Sequence, residues 1–164
     1  MFIEGEMMEL DNFTLIDFDQ LNSNHEYVMQ CIFDVSGSRF LKDYINLFSR
    51  CSADDRFVNK LYIAFYNNRA VGFISILHKD FGYEVVSGML PSERGQHLGA
   101  LLLQEFSDQI FEDYKSIDKL SLKINLNNKN AIKAALSVGY TKESNDDERV
   151  TLVMYRDPIL KKNR

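Results

Sequence analysis

Apolar residues recur along the chain with two periods, and each change of period predicts a change of element. Phe13 to Phe18 alternates loosely, as a strand does. From Asp19 the spacing lengthens: Val28, Cys31, Ile32 and Val35 fall at i, i+3, i+4 and i+7, one face of a helix that Ser36-Gly37 ends. Phe40, Leu41, Tyr44, Ile45 and Phe48 trace a second helical stripe up to the polar stretch Ser52-Ala53-Asp54-Asp55. Both stripes are spaced as core-packing faces. Leu61 to Tyr66 and Ala70 to His78 are rich in Ile, Val, Phe and Tyr, and Asn67-Asn68-Arg69 between them suits a tight antiparallel hairpin because Asn tolerates positive φ. Lys79-Asp80-Phe81-Gly82 forms a second hairpin turn into a strand from Tyr83 to Leu90, which Pro91 stops.

The strongest helical pattern follows, Leu98 to Tyr114, with Leu102, Phe106 and Ile110 at i, i+4 and i+8. Leu120 to Leu126 returns to period two. A strand, a helix and a strand in this order predict a parallel pair with a right-handed crossover. Another helix runs to Val138, with Asn128 as N-cap and Gly139 as the C′ residue. Tyr140 to Glu143 and Arg149 to Tyr155 form a last hairpin around the acidic tip Asn145-Asp146-Asp147-Glu148, and residues 155–164 trail as a flexible tail. With no repeat, linker or low-complexity segment, the expectation is one mixed α+β domain over residues 1–164.

Composition narrows the class. A chain of 164 residues suits one domain with a core of its own. Net charge is −5, from 24 acidic and 19 basic residues, which disfavours nonspecific nucleic-acid binding and favours cationic partners. Cys31 and Cys51 have neither CxxC nor metal-ligand spacing, so neither a disulfide nor a metal is expected. No segment reaches the roughly 18 uncharged apolar residues of a membrane span, and the N-terminus lacks a signal-peptide pattern. A soluble, cytoplasmic protein is expected.

Candidate chemistry centres on Met89 to Ala100. A β-rich run stops at Pro91, a polar loop carries Arg94 and Gly95, and a helix opens at Leu98. The first amides of a helix lack intrahelical partners and sit at the positive end of its dipole, so the loop is suited to an anion such as phosphate.

Four pieces then stand in a specific order: Val71-Gly72-Phe73-Ile74; Pro91-x-x-Arg94-Gly95; Leu98-Gly99-Ala100; and Asn128-x-x-Ala131-Ile132 followed by Val138-Gly139-Tyr140. Together, from about Leu61 to Met154, they resemble the GNAT superfamily of N-acyltransferases, which move an acyl group from coenzyme A to an amine. The resemblance implies a mixed central sheet of about six or seven strands with a splayed parallel pair and about four flanking helices. It implies acetyl-CoA as cosubstrate, no metal, an amine acceptor that is a small molecule or a protein amine, and no nucleic-acid or membrane partner. Monomer and homodimer both fit.

The family's phosphate loop maps onto Arg94-Gly95-Gln96-His97-Leu98-Gly99, so amides from Gly95 to Ala100 are the implied pyrophosphate ligands. The splay falls near Ser87, Gly88 and Met89, and Asn128 joins the cofactor-binding set. His97 stands where the family has its first loop glycine; a β-carbon is tolerated there if φ is negative, with the imidazole either in solvent or on the phosphate. Ala135 stands where many members carry a tyrosine that protonates the leaving thiolate, which leaves Tyr140, Ser137 or a water as the acid, or Tyr140 as a packing residue. Glu84 matches the family's general base, its alternative being a surface ion pair. His25 and His78 lack partners at catalytic spacing. The implied activity is acetyl transfer to a primary amine by direct attack in a ternary complex, with an acceptor pocket from about Asn24 to Phe48 and the last hairpin. Ala135 and His97 keep a second possibility open, a noncatalytic acyl-CoA-binding sensor or interaction module.

Overall fold

The computed structural model describes residues 2–3, 7–17 and 60–157. Among the described residues nine strands form one sheet in the order β1-β2-β3-β4-β5-β6-β7-β9-β8, against the six or seven expected. They are β1 (Phe2–Ile3), β2 (Met7–Glu9), β3 (Thr14–Asp17), β4 (Lys60–Tyr66), β5 (Arg69–Lys79), β6 (Gly82–Met89), β7 (Lys119–Asn125), β8 (Thr141–Asn145) and β9 (Arg149–Tyr155). Two α-helices stand among the described residues, α1 (Leu98–Asp113) and α2 (Lys129–Ser137). The two helices expected between Asp19 and Phe48, both cysteines, His25 and most of the expected acceptor pocket lie outside the described residues. The additional strands β1 and β2 are too short to show a period, yet Met8 pairs with Leu15 and both are fully buried.

Local chemistry explains the turns. Asn67 and Asn68 have φ of 50° and 63°, the double positive-φ turn that matches the right-handed twist of a two-residue hairpin. Asp146 Oδ1 accepts from the N–H groups of Glu148 and Arg149 at 2.8 and 2.7 Å, closing the β8–β9 turn, and these bonds hold its carboxyl below the usual range.

Every pairing is antiparallel except β6–β7. Register and the two-residue repeat place Tyr62, Ile74, Ile76 and Val85 on one face. Against them lie Leu102, Phe106 and Ile110 of α1 and Ala135 of α2, all fully buried in the same core cluster. The opposite face carries Leu61, Ile63, Phe73, Leu77 and Val153, which are buried too. Val71 to Leu77 of β5 is therefore a continuous buried run, the pattern of a strand covered on both sides.

The C-terminal end of α1 is held from β9. Arg156 donates through Nε to the Ile117 carbonyl at 3.0 Å and through its Nη atoms to the carbonyls of Phe111 and Tyr114, with its guanidinium 5.1 Å from the Phe111 ring centroid. It thus satisfies carbonyls that the helix end leaves open. Tyr155 pairs with Lys119 and Arg156 N–H donates to the Asp118 carbonyl, so the first residues of the expected flexible tail belong to the sheet and its end, while residues 158–164 lie outside the described residues. Arg156→Ala is expected to lower the unfolding free energy by about 2 kcal/mol, read by urea denaturation, because several charge-assisted bonds are lost at once.

Candidate active site

β7 pairs with β6 at only two positions, Tyr83↔Leu120 and Glu84↔Ser121. Ser121 Oγ donates to the Tyr83 carbonyl at 3.1 Å beside that last rung. Beyond it β7 continues to Asn125 against β9, while β6 continues to Met89 against β5 alone. Among the described residues, Val85 to Met89 therefore has no ladder partner on its β7 side. The parallel strands part from Val85 onward, and Ser87, Gly88 and Met89 line the edge of the opening.

Gly72 sets how β6 runs here. A β-carbon at Gly72 would lie inside contact distance of the Gly88 carbonyl oxygen and 3.0 Å from Met89 Sδ. Only a residue without one lets this carbonyl cross so close. Met89 is gripped from the other side as well: a β-carbon at Gly99 would come 3.3 Å from Met89 Cγ. Gly99 thus seats the start of α1 against the end of β6.

Between Met89 and α1 the chain makes a 3-10 turn (Pro91–Glu93) and then the loop of Arg94 to His97. Gly95 has φ 83° and His97 φ 60°. His97 is the N-cap of α1 and makes no side-chain cap bond, and the first turn carries no acidic residue. The condition set for a β-carbon at His97, a negative φ, is not met: the position takes the left-handed conformation that glycine favours, and His is among the residues that enter it at tolerable cost. Its imidazole is exposed, as are Arg94 and Gln96, while Leu98 is buried in the core.

The 3-10 turn is fastened to the β4–β5 hairpin. Arg69 Nε and Nη2 donate to Glu93 Oε1 and Oε2 at 3.0 and 3.2 Å, and the guanidinium lies 5.5 Å from the Tyr66 ring centroid. Leu90 N–H donates to the Val71 carbonyl at 2.8 Å, one rung past the end of β6. Neither Arg69 nor Glu93 was singled out from the sequence, because 24 residues separate them and nothing local pairs them.

Glu84 sits at the last β6–β7 rung, buried, with Oε2 3.8 Å from Lys79 Nζ. Its ion pair is real, but the carboxylate is a buried group at the point where the strands part rather than a surface one. His78 stacks on Tyr83 with ring centroids 4.6 Å apart. Because β6 and β7 are parallel, the starts of α1 and α2 open at the same end of the sheet. Asn128 stands there as the N-cap of α2, its Oδ1 accepting from Ala131 N–H at 3.2 Å.

Tyr140 lies deep in the core beside α2. It is 1% exposed, packed in the core cluster with Ala135, and its hydroxyl lies 2.8 Å from Ser107 Oγ. Burial pushes its pKa well up, with the Ser107 bond opposing weakly, so the phenol keeps its proton. These surroundings favour packing over a part in the reaction. Ser137 Oγ donates to the Ala134 carbonyl at 2.6 Å and is thereby tied to its own helix.

Residues 25–140, more than half of the chain, match the model of the acetyltransferase (GNAT) family. The chain belongs to that family. Among solved structures, the N-acetyltransferase PseH of Campylobacter jejuni is similar with a TM-score of 0.66 at 18% identity, over 88% of this chain and 99% of that one. An acetyltransferase from Agrobacterium tumefaciens reaches 0.70 at 15% identity, over 94% and 97%. A GNAT-family acetyltransferase from Bacillus anthracis reaches 0.66 at 13%, over 92% and 98%. At such identities the likeness is one of fold. No curated protein matches the chain in sequence. No helix among the described residues is long and apolar enough to cross a membrane.

A shallow cavity of about 540 Å³ lies elsewhere, between the β2–β3 loop and the β4–β5 turn. Its lining includes Glu9 and Asp11, which makes it a poor place for an anion. Tyr140→Phe separates packing from catalysis: it should cost about 1–2 kcal/mol of stability, by leaving Ser107 unpartnered in the core, while turnover stays within about twofold of the parent.

Proposed function

We propose that this GNAT-family protein is an acetyl-CoA-dependent N-acetyltransferase that acts on a primary amine by direct attack in a ternary complex. The observation that carries the proposal is the juxtaposition of an unpaired strand edge, Val85 to Met89, with an uncapped helix start three residues past a glycine in the left-handed region. An extended arm bearing amides can pair with such an edge as an added strand, and phosphates suit the amides that follow it. The residues fit coenzyme A in both respects. Ser87, Gly88 and Met89 would hold the pantetheine arm; Arg94, Gly95, Gln96, His97, Leu98, Gly99 and Ala100 would hold the pyrophosphate, with Asn128 at the neighbouring helix start.

When bound, acetyl-CoA supplies a thioester carbonyl as electrophile and a thiolate as leaving group: the amine nitrogen bonds to that carbon, the carbon–sulfur bond breaks, and the ammonium proton must leave. Glu84 is the carboxylate proposed to take that proton, and its position at the last rung before the strands part supports that reading. The backbone amide near Met89 is the candidate donor to the carbonyl oxygen. Tyr140 is left out of the reacting groups because it is enclosed and bonded to Ser107. With alanine at position 135, water is the remaining candidate to protonate the thiolate.

Proteins of similar structure act on amine acceptors of different kinds. RimL, with a TM-score of 0.67, is described as a ribosomal L7/L12 alpha-N-protein acetyltransferase, and SpeG of Vibrio cholerae, at 0.53, as a spermidine N-acetyltransferase. PseH is described in complex with acetyl coenzyme A. For this chain the acceptor class is a primary amine, and the acidic balance favours a cationic one. The buried Ala135 also favours a second reading, an acyl-CoA sensor without turnover.

Release of free thiol from acetyl-CoA over a panel of amines separates the two. Amine-dependent release is expected; coenzyme A binding with no release on any amine would establish the sensor. In the active case Glu84→Gln should lower the rate by about 10²-fold or more near neutral pH, with recovery as alkaline pH deprotonates the amine in solution. A parallel loss at every pH would remove Glu84 as the base.

A further inference from the structure

Glu93 is one residue before the loop assigned above to the pyrophosphate, and it is 9% exposed. A carboxylate there is a liability. Gly95 follows two residues later, so their α-carbons are within about 8 Å, comparable to the screening length of about 8 Å at physiological salt. An unpaired Glu93 would therefore repel the same phosphates that the helix start attracts.

We infer that Arg69 is a positioning residue for the pyrophosphate loop, which neutralises Glu93 and fixes the 3-10 turn from which Arg94 to His97 departs. The pair is bidentate, at 3.0 and 3.2 Å, the geometry in which a guanidinium fork matches a carboxylate. Glu93 N–H also donates to the Leu90 carbonyl at 2.9 Å, and Leu90 is tied to Val71 on β5, so the turn is held at its backbone and at its side chain. Arg69 itself is steadied over the Tyr66 ring. The loop that follows passes through two left-handed residues, Gly95 and His97, and such a path is retained only when its entry is fixed. Arg94, exposed beside it, then faces an anion without the carboxylate of its neighbour opposing it.

The inference rests on the assignment of residues 94–100 to phosphate, and the experiment keeps the two apart. Coenzyme A binding to the wild-type protein is measured first by calorimetry; no binding overturns that assignment itself. Arg69→Ala should then weaken coenzyme A about fivefold to tenfold, as a bared carboxylate and a loosened loop reduce the competent population. Adding Glu93→Gln to that variant should recover at least half of that loss, since the repelling charge is gone while the side-chain tie of the turn is still missing. A pair that served folding alone would bind no better after the second substitution. Should Arg69→Ala fail to fold, Glu93→Gln alone is read in its place, and coenzyme A should bind it at least as tightly as wild type. Unchanged affinity in Arg69→Ala, an unrestored double variant, or weaker binding by the Glu93→Gln single variant would overturn the inference.

Discussion

Buried backbone amides and carbonyls have to be hydrogen-bonded, and one stretch in the middle of this sheet is offered a partner on a single side. β7 gives Leu120 and Ser121 to β6 and then runs on with β9, so Val85 to Met89 keeps β5 and loses β7. An edge strand at the rim of a sheet meets solvent. An edge opened within a nine-stranded sheet, three strands from one rim, instead forms a wedge whose open side is shaped for an extended, amide-bearing molecule.

The remaining features follow from keeping that wedge open and directed. Gly72 admits the Gly88 carbonyl; Met89 is gripped between Gly72 and Gly99, which docks the start of α1 beside the strand end. Leu98, Leu102, Phe106 and Ile110 anchor α1 into the core, and Arg156 closes its far end. The helix is thereby fixed at both ends with its free amides toward the loop. Glu84 occupies the rung where pairing stops, a buried carboxylate held by Lys79. Around Gly99, in the first turn of α1, the same residue gives a close contact with Met89 and belongs to the loop proposed for phosphate.

Much of this was legible in the residues. The Asn67-Asn68 turn, the Pro91 stop, the α1 stripe, the Asn128 cap and Gly139, with φ 109°, all come from local rules and reappear in place. The splay was legible through resemblance to the GNAT pattern, since nothing in the period-two run from Tyr83 to Leu90 says where pairing ends. What stayed hidden was nonlocal or below the length at which periodicity appears. β1 and β2 are two and three residues long. The Arg69–Glu93 pair joins a hairpin turn to a loop. The left-handed conformation of His97 is likewise set by the loop around it rather than by its own side chain. Tyr140 offered two readings in sequence, and the contact with Ser107 that favours packing joins residues 33 positions apart.

In the proposed complex, coenzyme A lies along Val85 to Met89 with its phosphates on residues 94–100. Amide hydrogen exchange of the full chain, with and without coenzyme A, tests it most directly, because a pairing arm and bound phosphates both withdraw backbone N–H groups from exchange. The account predicts added protection in the segments covering residues 85–90 and 94–101. Protection confined to other segments, such as the lining of the cavity between the β2–β3 loop and the β4–β5 turn, would contradict it.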